Sequence, residues 1–289
     1  MIKGGEFLIK DQKAKDIFIP EEFSEDQLMM ASVTKEFVEK ELDPHRERFE
    51  QKDYKLTEDC MKKAGKLGLL GISIPEEYGG MSMPFNTSVL ICDKISGANG
   101  SFSTAFGAHT GIGTLPIFLY GNDKQRTKYL PKLATGEWMS CYCLTEPGAG
   151  SDANSGKTKA VLTEDGTYYL ITGQKMWISN AGFSDVFIVF ARIEDDKNIT
   201  GFILDKAIEG ITLGEEEHKL GLNSSSTRQV FFNEVKVPIE SLLGGRGNGF
   251  KIAMNALNVG RIKLSAAVLD ACRRVIGLST NYSNERIQF

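Results

Sequence analysis

At about residue 140 the spacing of apolar side chains changes, and near residue 250 it changes back. From about residue 24 to 140 apolar residues recur at helical intervals. From about 141 to 245 they fall in short runs bounded by Gly and polar turns, the pattern of strands. From Phe250 the helical spacing returns. Neither one bundle nor one sheet can follow that switch, so the chain reads as α+β: an N-terminal helical domain over 1–140, a central β domain over 141–245 and the start of a C-terminal helical domain over 246–289. Ser24 and Gln27 form a capping box ahead of Leu28, Met29, Val33, Phe37, Val38 and Leu42, and Pro44 disturbs or ends that helix. Further helices are predicted over 56–70, 83–95 and 122–133. Residues 97–108 are poor in large side chains, which favours close helix packing over room for a thin ligand. Strands are predicted over 167–171, behind the Asp165-Gly166 turn, and over 186–192, 201–204, 211–213, 229–232 and 235–237. Such a series suggests a small barrel or a sandwich. Ile252, Ala253, Leu257, Ile262, Leu264, Ala267, Leu269 and Ile276 predict one long apolar helix. It must pack on another chain or on the remainder of a longer protein.

The 289 residues carry 34 Lys and Arg against 38 Asp and Glu, a net charge of −4, which argues against nucleic acid as a partner. The longest apolar run, residues 186–191, is far too short for a transmembrane segment. The first residues show neither an export signal nor a transit peptide. The odd set Cys60, Cys92, Cys141, Cys143 and Cys272 reads as reduced thiols, hence a cytoplasmic location. Cys141 and Cys143 lack the C-x-x-C spacing and read as thiols on opposite faces of a strand. His45, His109 and His218 have no partner at metal spacing and read as structural or surface residues.

Three glycine motifs invite a nucleotide reading and fail it. Gly148-Ala149-Gly150-Ser151-Asp152-Ala153 fits G-x-G-x-x-A, but a Thr- and Lys-rich hairpin follows where a helix is required. Gly156-Lys157-Thr158 resembles the end of a phosphate loop, yet Ser151 stands where its first glycine belongs. Gly245-Arg246-Gly247-Asn248-Gly249 precedes a helix without any βαβ rhythm before it. The run from 142 to 152 still gathers turn residues with the hydroxyls of Thr145 and Ser151. It is either an ordinary tight loop or a set of donors for an anion or a heteroaromatic ring.

Tyr142-Cys143-Leu144-Thr145-Glu146-Pro147-Gly148-Ala149-Gly150-Ser151-Asp152 resembles the signature of the acyl-CoA dehydrogenase family. Pro75-Glu76-Glu77-Tyr78-Gly79-Gly80, Tyr120-Gly121 with Lys128-Tyr129-Leu130-Pro131, Gly173-Gln174-Lys175-Met176-Trp177-Ile178-Ser179-Asn180 and Val235-Lys236-Val237-Pro238 match in the same order. Leu257-Asn258-Val259-Gly260-Arg261 leans toward the very-long-chain branch. The resemblance implies a helical domain, a β-barrel domain and a truncated helical bundle. It also implies FAD as cofactor and oxidation of a fatty acyl-CoA to the trans-2-enoyl-CoA in β-oxidation. In that chemistry a carboxylate removes the α-proton while the β-hydride passes to the flavin, and electrons leave to an electron-transferring flavoprotein.

Carried over by position, the resemblance sets Tyr142, Leu144 and Thr145 along the flavin, with the Thr145 hydroxyl on its pyrimidine side. Cys143, Gly150 and Ile178 join the cofactor contacts, and Ser151 lies between cofactor and CoA. Trp177 packs on the flavin face, and Ser179, where many relatives have Thr, bonds near the reactive nitrogen. Asn258 and Arg261, three apart on one helix face, meet the CoA; many relatives have Asp in place of Asn258. Arg286, Gln288 and Phe289 reach the FAD of a neighbouring subunit, with Arg286 on the pyrophosphate and Gln288 in place of a frequent Thr, which implies a homodimer or homotetramer. Most of the family takes its base from a later helix, and a minority from the position before the Arg, which here is Gly260. The chain therefore reads as a fragment without the catalytic Glu, inactive alone. An acyl-CoA oxidase or flavin monooxygenase on the same scaffold, and a non-catalytic acyl-CoA-binding module, are the alternatives. Residues 97–108 are the expected wall of the acyl pocket, with Ala105 and Gly107 as its gauges.

Overall fold

The computed structural model describes residues 8–97 and 99–288. Phe289 and Ala98 therefore lie outside the described residues. The first helix, α1 (Glu25–Phe37), starts on the expected capping box: Gln27 N donates to Ser24 Oγ at 3.3 Å and Ser24 N to Gln27 Oε1 at 3.0 Å. Ahead of Pro44 the backbone loosens into a π turn (Val38–Leu42) and tightens into a 3₁₀ turn (Asp43–His45) before α2 (Arg46–Glu50). The proline thus perturbs the helical path without ending it. Then follow α3 (Tyr54–Lys66), capped by Asp53, and α4 (Phe85–Ser96). Next come α5 (Gly100–Gly107), which occupies the small-residue segment, and α6 (Leu115–Tyr120). A second π segment, Ala108–Gly113, lies between α5 and α6. The last of this group, α7 (Asp123–Thr135), opens on an Asn122–Gln125 capping box and stops at Gly136, whose φ of 73° is easy only for glycine.

The strands are β1 (Ser140–Cys143), β2 (Lys159–Leu162), β3 (Tyr168–Ser179), β4 (Val186–Ile193), β5 (Thr200–Asp205), β6 (Ile211–Glu216), β7 (Thr227–Pro238) and β8 (Leu242–Leu243). They form one sheet in the order β6-β7-β3-β2-β4-β5-β8, with β1 also on β4. The expected barrel is not formed, because the sheet stays open. Among the described residues β6 pairs only with β7, and β8, two residues long, pairs only with β5. Closure requires the last strand to meet the first in register. Here β4 gives one edge to β5 and divides the other between β1 and β2, and the β2–β4 link is only Lys159↔Arg192 and Ala160↔Ile193. About that short link the sheet folds over, so that Ile171, Val230 and Val235 of one limb share a core with Phe187, Val189 and Phe202 of the other.

The predicted single C-terminal helix is two, α8 (Gly249–Ala266) and α9 (Leu269–Glu285). The break at 267–268 lets α9 lie along α4, where Arg273 pairs with Asp93 at 2.5 Å. None of the α9 residues is buried, and Val275, Ile276 and Leu278 are exposed. No helix among the described residues is long and apolar enough to cross a membrane. A separate core joins Ile117, Leu130, Tyr142, Phe190, Ile252 and Ala253, drawn from α6, α7, β1, β4 and α8. The three zones meet there, and the site lies beside it.

Candidate functional site

Alternation along β1 divides its side chains. Tyr142 and Leu144 enter the junction core, while Cys141 and Cys143 enter the interior of the folded sheet. The two thiols therefore share a face, with Sγ atoms 3.9 Å apart, and not opposite faces as the sequence reading had it. Residues i and i+2 of a strand point the same way. All five cysteines are free. Tyr142 donates its hydroxyl to the Ala253 carbonyl of α8 at 3.2 Å and sets its ring edge-on to Phe190, tying the sheet to the C-terminal helices.

After β1 the chain turns tightly, with reciprocal bonds of 3.1 and 3.0 Å between the backbones of Glu146 and Ala149. The Glu146 carboxylate is buried. It accepts from Lys157 N at 2.6 Å, from Thr158 N at 3.1 Å and from Lys175 Nζ at 2.7 Å. Burial works to raise its pKa, but the Lys175 ammonium and the N–H donors outweigh burial and hold the carboxyl below its usual range. Lys175 also donates to Leu144 O at 3.1 Å, and Met176 N donates to Thr145 O at 2.9 Å. The loop is thus fastened to β3 from beneath, and its upper side is left open.

Directly past these bonds β3 breaks register against β7, between Lys175 and Ile178. Trp177 adopts a left-handed φ of 58° there, costly for a bulky side chain, and its indole is 61% exposed. Asn180 is left-handed too, and its Nδ2 donates to Ala105 O of α5 at 2.9 Å, anchoring the end of the strand.

The loop, the bulge and α8 enclose a cleft of about 330 Å³. Tyr142, Leu144, Thr145, Gly150 and Ser151 line one side; Trp177, Ile178 and Ser179 line another, and Arg261 reaches in from α8. The hydroxyls of Thr145, Ser151 and Ser179 bond to no other described residue, so all remain available to a ligand. Cys143 does not line the cleft, because its side chain faces the sheet interior. Asn258 is exposed beside it and accepts from Arg261 Nη1 at 2.5 Å. Arg286 and Gln288 are exposed beyond α9, where Arg286 sits against the Tyr282 ring, and neither lines the cleft.

A second cleft, also about 330 Å³, adjoins the first and shares Ile112, Ser179, Leu257 and Arg261 with it. Ser103, Thr104, Gly107 and Ala108 of the small-residue segment line it. The segment thus does two jobs: Ala105 is buried in the N-terminal core, Phe106 belongs to that core and also borders the cleft, and the flank of Ser103, Thr104 and Gly107 forms a pocket wall. Ala105 is therefore not a gauge of that pocket. Gly107 is, and a Cβ there would meet nothing within 4 Å. Gly260 faces the same cleft. Among the described residues no Asp or Glu lines either cleft, and no metal-binding cluster of His, Cys, Asp or Glu exists.

Sequence reasoning missed Ile112, Met254, Cys92 and Lys263 as lining residues. Lys263 left a signal. It falls in step with the buried positions Ile252, Ala253, Ala256 and Ala266 of α8, where a cation is out of place. His109 is structural as expected. Its Nδ1 accepts from Ser140 N at 3.2 Å, so the proton is on Nε2, 3.0 Å from Leu133 O. Burial lowers its pKa from 6.5 to about 4.

Helices, a folded sheet and further helices around paired clefts match, in chain order, the three parts of one oxidoreductase family. Residues 24–137 match the acyl-CoA dehydrogenase N-terminal domain, 141–235 the middle domain and 247–289 the C-terminal domain. The chain belongs to the acyl-CoA dehydrogenase family. It is 47% identical over 287 residues to a probable acyl-CoA dehydrogenase of Bacillus subtilis, covering 99% of this chain and 48% of the relative. It is 41% identical over 233 residues to the human mitochondrial very long-chain specific acyl-CoA dehydrogenase, covering 78% of this chain and 35% of that one. A Bacillus anthracis acyl-CoA dehydrogenase solved with FAD superposes with a TM-score of 0.95 at 44% identity, over 100% of this chain and 50% of that one. The chain thus spans about half the length of two of these relatives and less of the third.

Proposed function

We propose that the first cleft holds the isoalloxazine of FAD and the second a fatty acyl chain, in the α,β-dehydrogenation of an acyl-CoA thioester to the trans-2-enoyl-CoA. The observation that carries this reading is the shared wall. Ser179 and Arg261 belong to both clefts, so a ring in one and a chain in the other would meet there. The lining suits a flavin, with an exposed indole for stacking, unpartnered hydroxyls at Thr145, Ser151 and Ser179, and apolar Leu144 and Ile178. When bound, FAD supplies a two-electron acceptor. Thr145 and Ser179 hold O–H donors toward it, which favour its electron-rich form. Trp177 shields one face from water, and Ser151, Asn258 and Arg261 orient the CoA moiety.

The same reading extends to parts that lie outside one protomer. Arg286, Gln288 and Phe289 serve the cofactor of a neighbouring subunit in a homodimer or homotetramer, an electron-transferring flavoprotein accepts the electrons, and the setting is cytoplasmic β-oxidation. The proton acceptor is not among the lining residues, since among the described residues no acid faces either cleft and Gly260 stands at one family position for it. This chain alone therefore binds both ligands without turnover, and that missing acid is also the observation favouring a non-catalytic acyl-CoA-binding module as the second reading. The test is titration of the protein with FAD, followed by palmitoyl-CoA. A perturbed flavin spectrum that shifts again with the thioester supports the first reading. Binding of palmitoyl-CoA with no FAD uptake supports the second. Failure to bind either, or turnover by the unmodified chain, would overturn the proposal.

A further inference from the structure

Among the described residues Lys263 is the one lysine in either cleft lining, and it is 7% exposed. Among the described residues its Nζ has a single hydrogen-bond partner, Thr110 Oγ1, at a long 3.4 Å. It has no carboxylate within ion-pairing distance among them, whereas the buried Lys175 has Glu146 at 2.7 Å. An ammonium taken out of water costs several kcal/mol unless an anion and good hydrogen bonds replace its hydration. With three N–H bonds to place and one poor acceptor, Lys263 is under-satisfied at a position where α8 otherwise buries Ile252, Ala253, Ala256 and Ala266.

The surroundings say what would satisfy it. Lys263 lines only the second cleft, among Ile95, Phe106, Ala108 and Leu264, and not the cleft shared by Thr145 and Ser151. A ligand reaching it needs an apolar body followed by an acceptor at the far end. Among the described residues no acid lines this cleft, so an incoming carboxylate meets no like charge from them. Thr110 accepts from Lys263 while donating to Phe106 O at 2.9 Å, which keeps the hydroxyl oxygen turned to the ammonium. A phosphate of CoA is a poor candidate, because its hydrated bulk does not suit an apolar recess.

We propose that Lys263 makes this cleft selective for acyl groups that carry a carboxylate at the end remote from the thioester. Resting on the acyl-CoA reading above, the inference refines the substrate class to ω-carboxyacyl-CoA. Lys263 is a specificity residue, and it takes no part in bond making.

The test uses the 289-residue chain with FAD added, and calorimetric binding of matched pairs from hexanoyl- and hexanedioyl-CoA up to tetradecanoyl- and tetradecanedioyl-CoA. At the length that spans the cleft the dicarboxylate should bind roughly 10- to 100-fold more tightly than its partner, the range expected for a charge-assisted bond in a buried site. Lys263→Met keeps the length of the side chain, relieves the buried charge and should erase that preference, read as the ratio of the two affinities within each matched pair. Lys263→Arg should retain part of the preference. Equal affinity within every pair, or a preference that survives Lys263→Met, would overturn the inference alone and assign the ammonium a structural partner. If no acyl-CoA of either kind binds, the acyl-CoA reading falls and takes this inference with it.

Discussion

Lys175 Nζ lies 2.7 Å from Glu146 Oε1, with the lysine side chain 1% exposed and the glutamate 7%. The pair joins the loop that carries Thr145 to the strand that carries Trp177, so its loss should register both in stability and in cofactor affinity. Removing one partner leaves an uncompensated charge. Glu146→Gln or Lys175→Met should each cost about 3–5 kcal/mol in urea unfolding, and the double variant less than the sum of the two. FAD affinity should fall alongside. Normal FAD binding by a folded Glu146→Gln protein would show that the pair does not position the loop.

His109 gives stability a pH dependence. Burial lowers its pKa from 6.5 to about 4, so the unfolded chain binds a proton in that interval and the folded protein does not. Stability therefore falls as pH drops from 6.5 toward 4, by up to roughly 3 kcal/mol. Glu146, held below its usual range, acts in the same direction further down, since its contribution is lost as pH falls through its folded value. Unfolding curves at neutral and mildly acid pH check the slope. His109→Asn should be less stable at neutral pH and flatter across the window.

Gly107 and Ala105 should respond oppositely to enlargement. Gly107→Val projects into open space, so it should leave stability nearly unchanged and weaken long acyl-CoA binding more than short. Ala105→Val must expand a buried core and should cost about 1–3 kcal/mol with no change in chain-length preference. Calorimetry with butyryl- and palmitoyl-CoA separates the two effects. A uniform loss across lengths for Gly107→Val would remove the pocket assignment.

Gly260→Glu should add what neither cleft lining has. A Cβ at this position meets only Ile112 Cγ2, at an ordinary 3.6 Å, and replacing a mid-helix glycine should stabilise α8 by about 0.5–1 kcal/mol. With FAD and palmitoyl-CoA bound, the variant should exchange the thioester α-protons with deuterated water, followed by NMR, while the parent chain does not. Exchange equal to that of the parent would argue that this point of α8 does not face the thioester.

The sequence made some of this legible and hid the rest, for physical reasons. The Ser24–Gln27 and Asn122–Gln125 boxes are local, and local rules read them. The open sheet was not legible, because closure depends on whether β6 and β8 meet, and neither strand's own pattern records that. The division of α8 from α9 is equally non-local, since residues 267–268 include neither Gly nor Pro and the bend serves a contact with α4. In the site, Thr145, Trp177 and Ser179 were reached through family resemblance. Composition and spacing alone left the run from 142 to 152 open between an ordinary tight loop and a set of donors, and said nothing of Trp177. The Cys143 side chain faces the sheet interior beside Cys141, as strand alternation requires and as a carry-over by position does not register, and the buried stripe of α8 marks Lys263.

The left-handed turn at Trp177 gives the molecule an optical consequence. Of the two tryptophans, Trp138 is half-buried, its ring 6.2 Å from that of Tyr129 and beneath the Lys132 ammonium at 4.0 Å, whereas the indole of Trp177 opens onto the cleft. Trp177 is therefore the indole whose surroundings change from water to ligand when the crevice fills, while the contacts of Trp138 stay as they are. The protein thus carries its own gauge of occupancy.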